Sequence, residues 1–118
     1  MTTKEVADKL VKMCRDGQVE EVKEELFTEE TLSIEPSEDI LPKETKGLAA
    51  IKKKAELFIS MIEHFYGSTL TEPVVAGDYF CVGSETDIQM KGEERKKMSE
   101  ICLYKVKDSK IISEQFFY

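Results

Sequence analysis

The sequence predicts an α+β domain, with helices first and a strongly curved antiparallel sheet after them. Two observations carry this. Apolar residues recur at helical spacing in the first half, and after His64 the period changes to two. Turn residues then divide the second half at Gly77-Asp78, Lys91-Gly92-Glu93-Glu94 and Lys107-Asp108-Ser109.

The first helix starts at Thr2, because Thr2 and Glu5 have capping-box spacing. Val6, Leu10, Met13 and Cys14 form its apolar stripe, and Gly17 stops it by accepting a left-handed backbone. A second, shorter helix carries Val19, Val22, Leu26 and Phe27 on one face. Residues 31–35 alternate Leu32 and Ile34 with polar neighbours and read as a short strand. From Pro36 to Lys46 no period holds, so a lid or flap is expected there. Thr45 is placed to cap the main helix, whose apolar face is Leu48, Ile51, Ala55, Phe58 and Ile62. Lys52-Lys53-Lys54 reads as its solvated face, and His64 closes it, where a cation is favourable.

Strands are expected over 68–76, with Pro73 at an edge or bulge, and over 79–90, with Gly83 at a bulge or bend. Two more follow over 96–106 and 110–118. The result is a four-stranded antiparallel meander with one short extra strand.

At 118 residues, without an internal repeat, the chain fits a single domain spanning 1–118. The net charge of −7 repels phosphate backbones and anionic lipid, so neither nucleic acid nor a membrane surface is an expected partner. Cys14, Cys81 and Cys102 are odd in number and far apart, without a CxxC pair. That argues against a zinc site or a disulfide framework and for a cytoplasmic home. No motif calls for a metal or another cofactor: Gly-rich phosphate loops, HExxH and GxSxG are all missing.

The order of elements, with several local motifs, resembles the nuclear-transport-factor-like cone fold, and within it the SnoaL-like group. The residues carrying the likeness are Gln18-Val19-Glu20-Glu21-Val22 after Gly17, Ser33-Ile34-Glu35-Pro36, and Lys46-Gly47 opening the long helix. Val75-Ala76-Gly77-Asp78 and the ending from Val106 to Tyr118 complete it. The resemblance implies a sheet curled around the long helix, a pocket open at one end, and homodimers through the outer sheet face. Fold alone does not select among the enzymes, binding modules and transport factors of such a group.

The last hairpin indicates which side chains face that pocket. A three-residue loop pairs Val106 with Lys110, Tyr104 with Ile112, Cys102 with Glu114 and Glu100 with Phe116. Paired residues share a side, which gathers Met98, Glu100, Cys102, Tyr104, Glu114, Phe116 and Tyr118. Ile101, Leu103 and Phe117 fall on the other side, as a face for a second copy. A two-residue loop would shift this register by one.

Glu100 and Glu114 are then candidate catalytic acids: two poorly solvated carboxylates at short range hold one proton more tightly. The alternative is that each meets a lysine or water at the sheet rim. Glu35, before Pro36, is the third candidate, set against a plain loop carboxylate. By resemblance it matches the proton-abstracting carboxylate of ketosteroid isomerases. The oxyanion donors of those enzymes correspond here to Leu10 and Cys102, which serve an enolate poorly, so that activity is not expected. Cys102 reads as a small core residue rather than a nucleophile. Tyr104 and Tyr118 suit a pocket, pairing an apolar ring with a polar tip. Leu10, Met13, Phe58, Ile62, Phe80 and Val82 complete the expected lining, although Phe80 and Val82 equally suit a filled core.

Three functions remain open. The first is a module holding a small apolar or carbonyl-bearing molecule. The second is an enzyme moving a proton next to a carbonyl, as an isomerase, cyclase or dehydratase does. The third is a dimeric interaction domain.

Overall fold

The computed structural model describes all residues, 1–118. It contains three helices, α1 (Thr3–Arg15), α2 (Val19–Leu26) and α3 (Leu48–Ser60), and seven strands. The strands are β1 (Phe27–Ile34), β2 (Glu44–Lys46), β3 (Ile62–Leu70), β4 (Val74–Ala76), β5 (Tyr79–Met90), β6 (Arg95–Lys107) and β7 (Lys110–Phe117). They form one sheet in the order β2-β1-β7-β6-β5-β3, with β4 also pairing β5. β1 lies parallel to β7, and every other pairing is antiparallel. The architecture is the predicted α+β class. The sheet exceeds the prediction because β2 joins it, the short extra strand lengthens into β1, and the strand expected over 68–76 divides into β3 and β4.

Local chemistry sets the boundaries. Thr2 and Glu5 close the capping box of α1 reciprocally, and Gly17 follows that helix at φ 79°. Phe27 is not part of α2: it caps the helix in extended geometry and begins β1, earlier than residues 31–35 suggested. Thr45 does not cap α3. It lies in β2, and Gly47 takes the cap position at φ 93°, where a Cβ would meet the Glu29 carbonyl oxygen at 3.1 Å. Only glycine combines that backbone with that approach.

α3 ends at Ser60, so Ile62 and His64 belong to β3 rather than to the helix. The twelve residues of β5 explain this: β3 pairs with it from Ile62↔Met90 to Leu70↔Ser84, a ladder that outcompetes another helical turn. Pro73 lies between β3 and β4, where no ladder hydrogen bond is lost. Gly83 marks no bulge, since β5 pairs with β6 without interruption there. It admits Thr71 instead: a Cβ would meet the Thr71 methyl at 3.0 Å, and the Thr71 hydroxyl accepts the Gly83 N–H.

The last hairpin corrects the predicted register twice. Lys107 pairs with Lys110, so the loop is two residues, Asp108 and Ser109, both left-handed at φ 52° and 66°. That shift alone would reverse the faces. Ile112 then has no partner between Val106↔Ile111 and Lys105↔Ser113, and this bulge restores them. Tyr104 therefore faces Glu114 and Cys102 faces Phe116, while all the residues grouped on one side remain together. The bulge is also why Ile111 and Glu114, three residues apart, are both buried.

α1 and α2 lay Val6, Ala7, Leu10, Val11, Val22 and Leu26 against the sheet, where Phe80, Val82, Cys102, Tyr104 and Ile111 meet them. Phe80 and Tyr104 stack at 4.7 Å between ring centroids, a pair that adds about 0.5–1.5 kcal/mol beyond its area burial. No helix is long and apolar enough to cross a membrane.

Candidate functional site

The sheet, α3 and the 35–41 segment enclose a cavity of about 290 Å³, near the lower end of small-molecule sites. Its walls are mainly apolar and include Leu10, Ile51, Phe58, Met98, Phe116 and the segment residues Ile40 and Leu41. Glu35, Glu100 and Glu114 all line it, with Cys102, Tyr104 and Tyr118. Four residues expected there do not. Phe80 and Val82 are fully buried in the core, because their face of β5 is covered by α1. Met13 packs at the edge of that core. Ile62 left the pocket when α3 ended two residues before it.

The carboxylates are held by a buried chain of side chains. Lys54 Nζ lies 3.0 Å from Glu35 Oε2 and donates to Ser33 Oγ at 2.5 Å. Ser33 in turn donates to Glu114 Oε1 at 2.7 Å. The Tyr118 hydroxyl donates to Glu35 Oε1 at 2.8 Å, closing the other end. Lys54 and Glu35 retain only 7% and 6% of their side-chain exposure, so this is an ion pair in a poorly solvated interior. No buried side-chain nitrogen or oxygen lacks a partner.

Sequence reasoning missed Lys54 and Ser33. Lys54 was grouped with a solvated lysine run, but it lies one turn after Ile51, on the face of α3 turned to the sheet. The available signal was its spacing: Ile51, Lys54, Ala55 and Phe58 fall at i, i+3, i+4 and i+7. Ser33 lies on β1 and Glu35 directly follows that strand, two residues on, and both are buried.

Burial, with a smaller push from neighbouring Glu35 and Glu114, raises the Glu100 carboxyl above its usual range, while the Cys102 thiol donating at 3.6 Å pulls the other way. Burial likewise raises Glu114, against the Ser33 hydrogen bond and the Lys54 ammonium. Cys102 is pushed far above the ordinary thiol by burial and by Glu100, so it is not a nucleophile near neutral pH. Burial and the Glu35 carboxylate raise Tyr118, which stays a hydroxyl donor. The only histidine, His64, is exposed on β3 beside Tyr66 and takes no part. No group of histidine, cysteine or carboxylate side chains is arranged to hold a metal ion.

The same architecture recurs in known structures. A chain from Mesorhizobium loti described as a SnoaL-like polyketide cyclase superposes with a TM-score of 0.92 at 28% identity, over 100% of both chains. A cystatin-like protein of unknown function from Xanthomonas campestris gives 0.83 at 17% identity, covering 99% of this chain and 90% of the other. A chain from Jannaschia sp. CCS1, also described as a SnoaL-like polyketide cyclase, gives 0.77 at 15% identity, over 98% and 83%. No curated protein matches the sequence. The SnoaL-like domain family matches residues 1–118, and this chain belongs to that family.

Proposed function

We propose that the cavity binds a small, mainly apolar molecule and receives its polar end at the Glu35–Lys54–Ser33–Glu114 chain and Glu100. The observation that supports this reading is a cluster of ionisable groups turned into an apolar cavity. Burying acids costs stability, and a hydrophobic replacement of similar volume would serve the fold equally well. A thermal-shift screen of small apolar and carbonyl-bearing compounds tests it. Ligands should raise the melting temperature of the wild type and not of Ala55→Phe, in which a bulky ring enters the cavity from α3. A library that raises neither would count against the reading.

A second reading is supported by Glu100. A carboxyl raised by burial and facing an open cavity is suited to move a proton next to a carbonyl. Glu35 is less suited, because Lys54 and Tyr118 both donate to it and hold the anion. Under this reading, Glu100 with Glu114 supplies the acid/base function of an isomerase, cyclase or dehydratase. Deuterium uptake from solvent at the carbon beside a bound ketone, lost in Glu100→Gln, is its signature.

The outer sheet face supports a homodimer. Ile101 and Phe117 pair across β6 and β7 and are about half exposed, with Leu103 beside them. Sedimentation should give a dimer at micromolar concentration for the wild type and a monomer for Phe117→Glu; a wild-type monomer would remove this assignment. Free Cys14, Cys81 and Cys102, with the acidic charge, support a reducing cytoplasmic setting away from nucleic acid and membrane.

A further inference from the structure

Resting on the reading of the cavity as a binding site, we infer that the polar end it selects is a protonated amine on an apolar body, received by Glu100. The charges around the cavity are unequal. Glu35, Glu100 and Glu114 line it against two cations, Lys23 and Lys54. Lys23 pairs with Glu20 on its own helix at 3.4 Å. Lys54 is already engaged by Glu35 and Ser33, and its remaining side faces the Phe116 ring at 5.2 Å. Glu35 receives two donors and Glu114 receives the Ser33 hydroxyl. Glu100 has only the Cys102 thiol, a weak donor at 3.6 Å.

The groups facing Glu100 from the surrounding elements are Glu35 just after β1, Lys54 on α3, Cys102 and Tyr104 on β6, Glu114 on β7 and Tyr118 at the chain end. Among them the single ammonium is committed elsewhere. An anionic ligand entering this cavity meets acids and no uncommitted cation. A neutral ligand leaves the partly buried Glu100 carboxyl without a counter-charge whenever it ionises. An ammonium supplies the missing counter-charge. Burial of the Glu100 carboxyl, which disfavours its anion in the free protein, is offset when that cation arrives.

The probes are benzylamine, benzyl alcohol and benzoate, which share a ring and differ in the charge of the polar end. Calorimetric titration of the full chain near neutral pH should give benzylamine an affinity at least about tenfold above benzyl alcohol, with benzoate weakest. Glu100→Gln should bring benzylamine down to the level of benzyl alcohol. Equal or tighter binding of the alcohol in the wild type, or an amine preference surviving in Glu100→Gln, overturns the inference and leaves the cavity reading in place. Failure of all three probes to bind removes both. Should Glu100→Gln not fold, the wild type decides alone: the amine-to-alcohol ratio must shrink as pH falls and Glu100 takes up its proton. A ratio independent of pH overturns the inference.

Discussion

Replacing Lys54 by methionine removes the one ammonium from the carboxylate cluster while keeping most of the side-chain volume. Lys54 lies 3.0 Å from Glu35 and bonds Ser33, and the ion pair is almost wholly shielded from water. Breaking such a pair from one side costs about 3–5 kcal/mol, chiefly because the remaining charge is stranded. That is a large part of the ~5–15 kcal/mol that stabilises a domain of this size. In urea, at about 1–3 kcal/mol per molar, the unfolding midpoint should fall by roughly 2 M. Lys53→Met, one residue away and exposed, should stay within about 0.5 kcal/mol of wild type. Adding Glu35→Gln to Lys54→Met removes the stranded charge, so the double variant should regain at least ~1.5 kcal/mol over additivity. Urea denaturation of wild type, Lys54→Met, Glu35→Gln and the double variant measures the whole cycle, with Lys53→Met as a fifth, control protein. A Lys54→Met loss below about 1 kcal/mol, the value of a solvated pair, would refute the buried network.

The folded carboxyls of Glu100 and Glu114 are raised above their unfolded values, so their protonated forms favour the fold. That contribution is complete below the unfolded carboxyl range and is lost as pH rises through the folded titration. Glu100→Gln should therefore be neutral or stabilising near neutral pH and flatten this slope; carbon-detected carboxyl titrations giving ordinary values would contradict it. In the Asp108-Ser109 turn, Ser109→Gly should stabilise the hairpin by about 0.4–1 kcal/mol, since glycine accepts φ 66° without strain. A thermal scan showing a loss would mean that the Ser109 contacts to the first residue matter more. Amides of 36–42 should exchange faster than those of β1 and α3. The N–H groups of Glu35 and Gly47, bonded to Lys43 and Thr31, should be slow and mark the ends of the flap.

The helices and the long strands were legible because each had one dominant local signal. The α1 capping box and the alternation of β5 and β6 are examples. Boundaries failed where a tertiary partner overrode that signal. Helical spacing carried α3 to Ile62 and His64, but the ladder offered by β5 claimed both. Thr45 looked like a cap until Ser33 on β1 took it as a strand partner. The face assignment of Glu100 and Glu114 came through two errors of opposite sign, a shorter loop and the Ile112 bulge, neither of which has a period. Lys54 was hidden because lysine is almost never buried without a partner, and its partner Glu35 lies on another element. Charge type alone could not place it, whereas its position in the apolar stripe could.

On the proposed function, a small molecule enters the cavity and places its polar end at the carboxylate cluster. Methyl resonances recorded while a fragment library is titrated into the protein test this most directly. Binding fragments should shift Ile51, Ala55, Met98 and Leu41 at the cavity wall and leave exposed Val74 and Ile101 on the far side unmoved. Shifts confined to the outer sheet face, or none from any fragment, would contradict it.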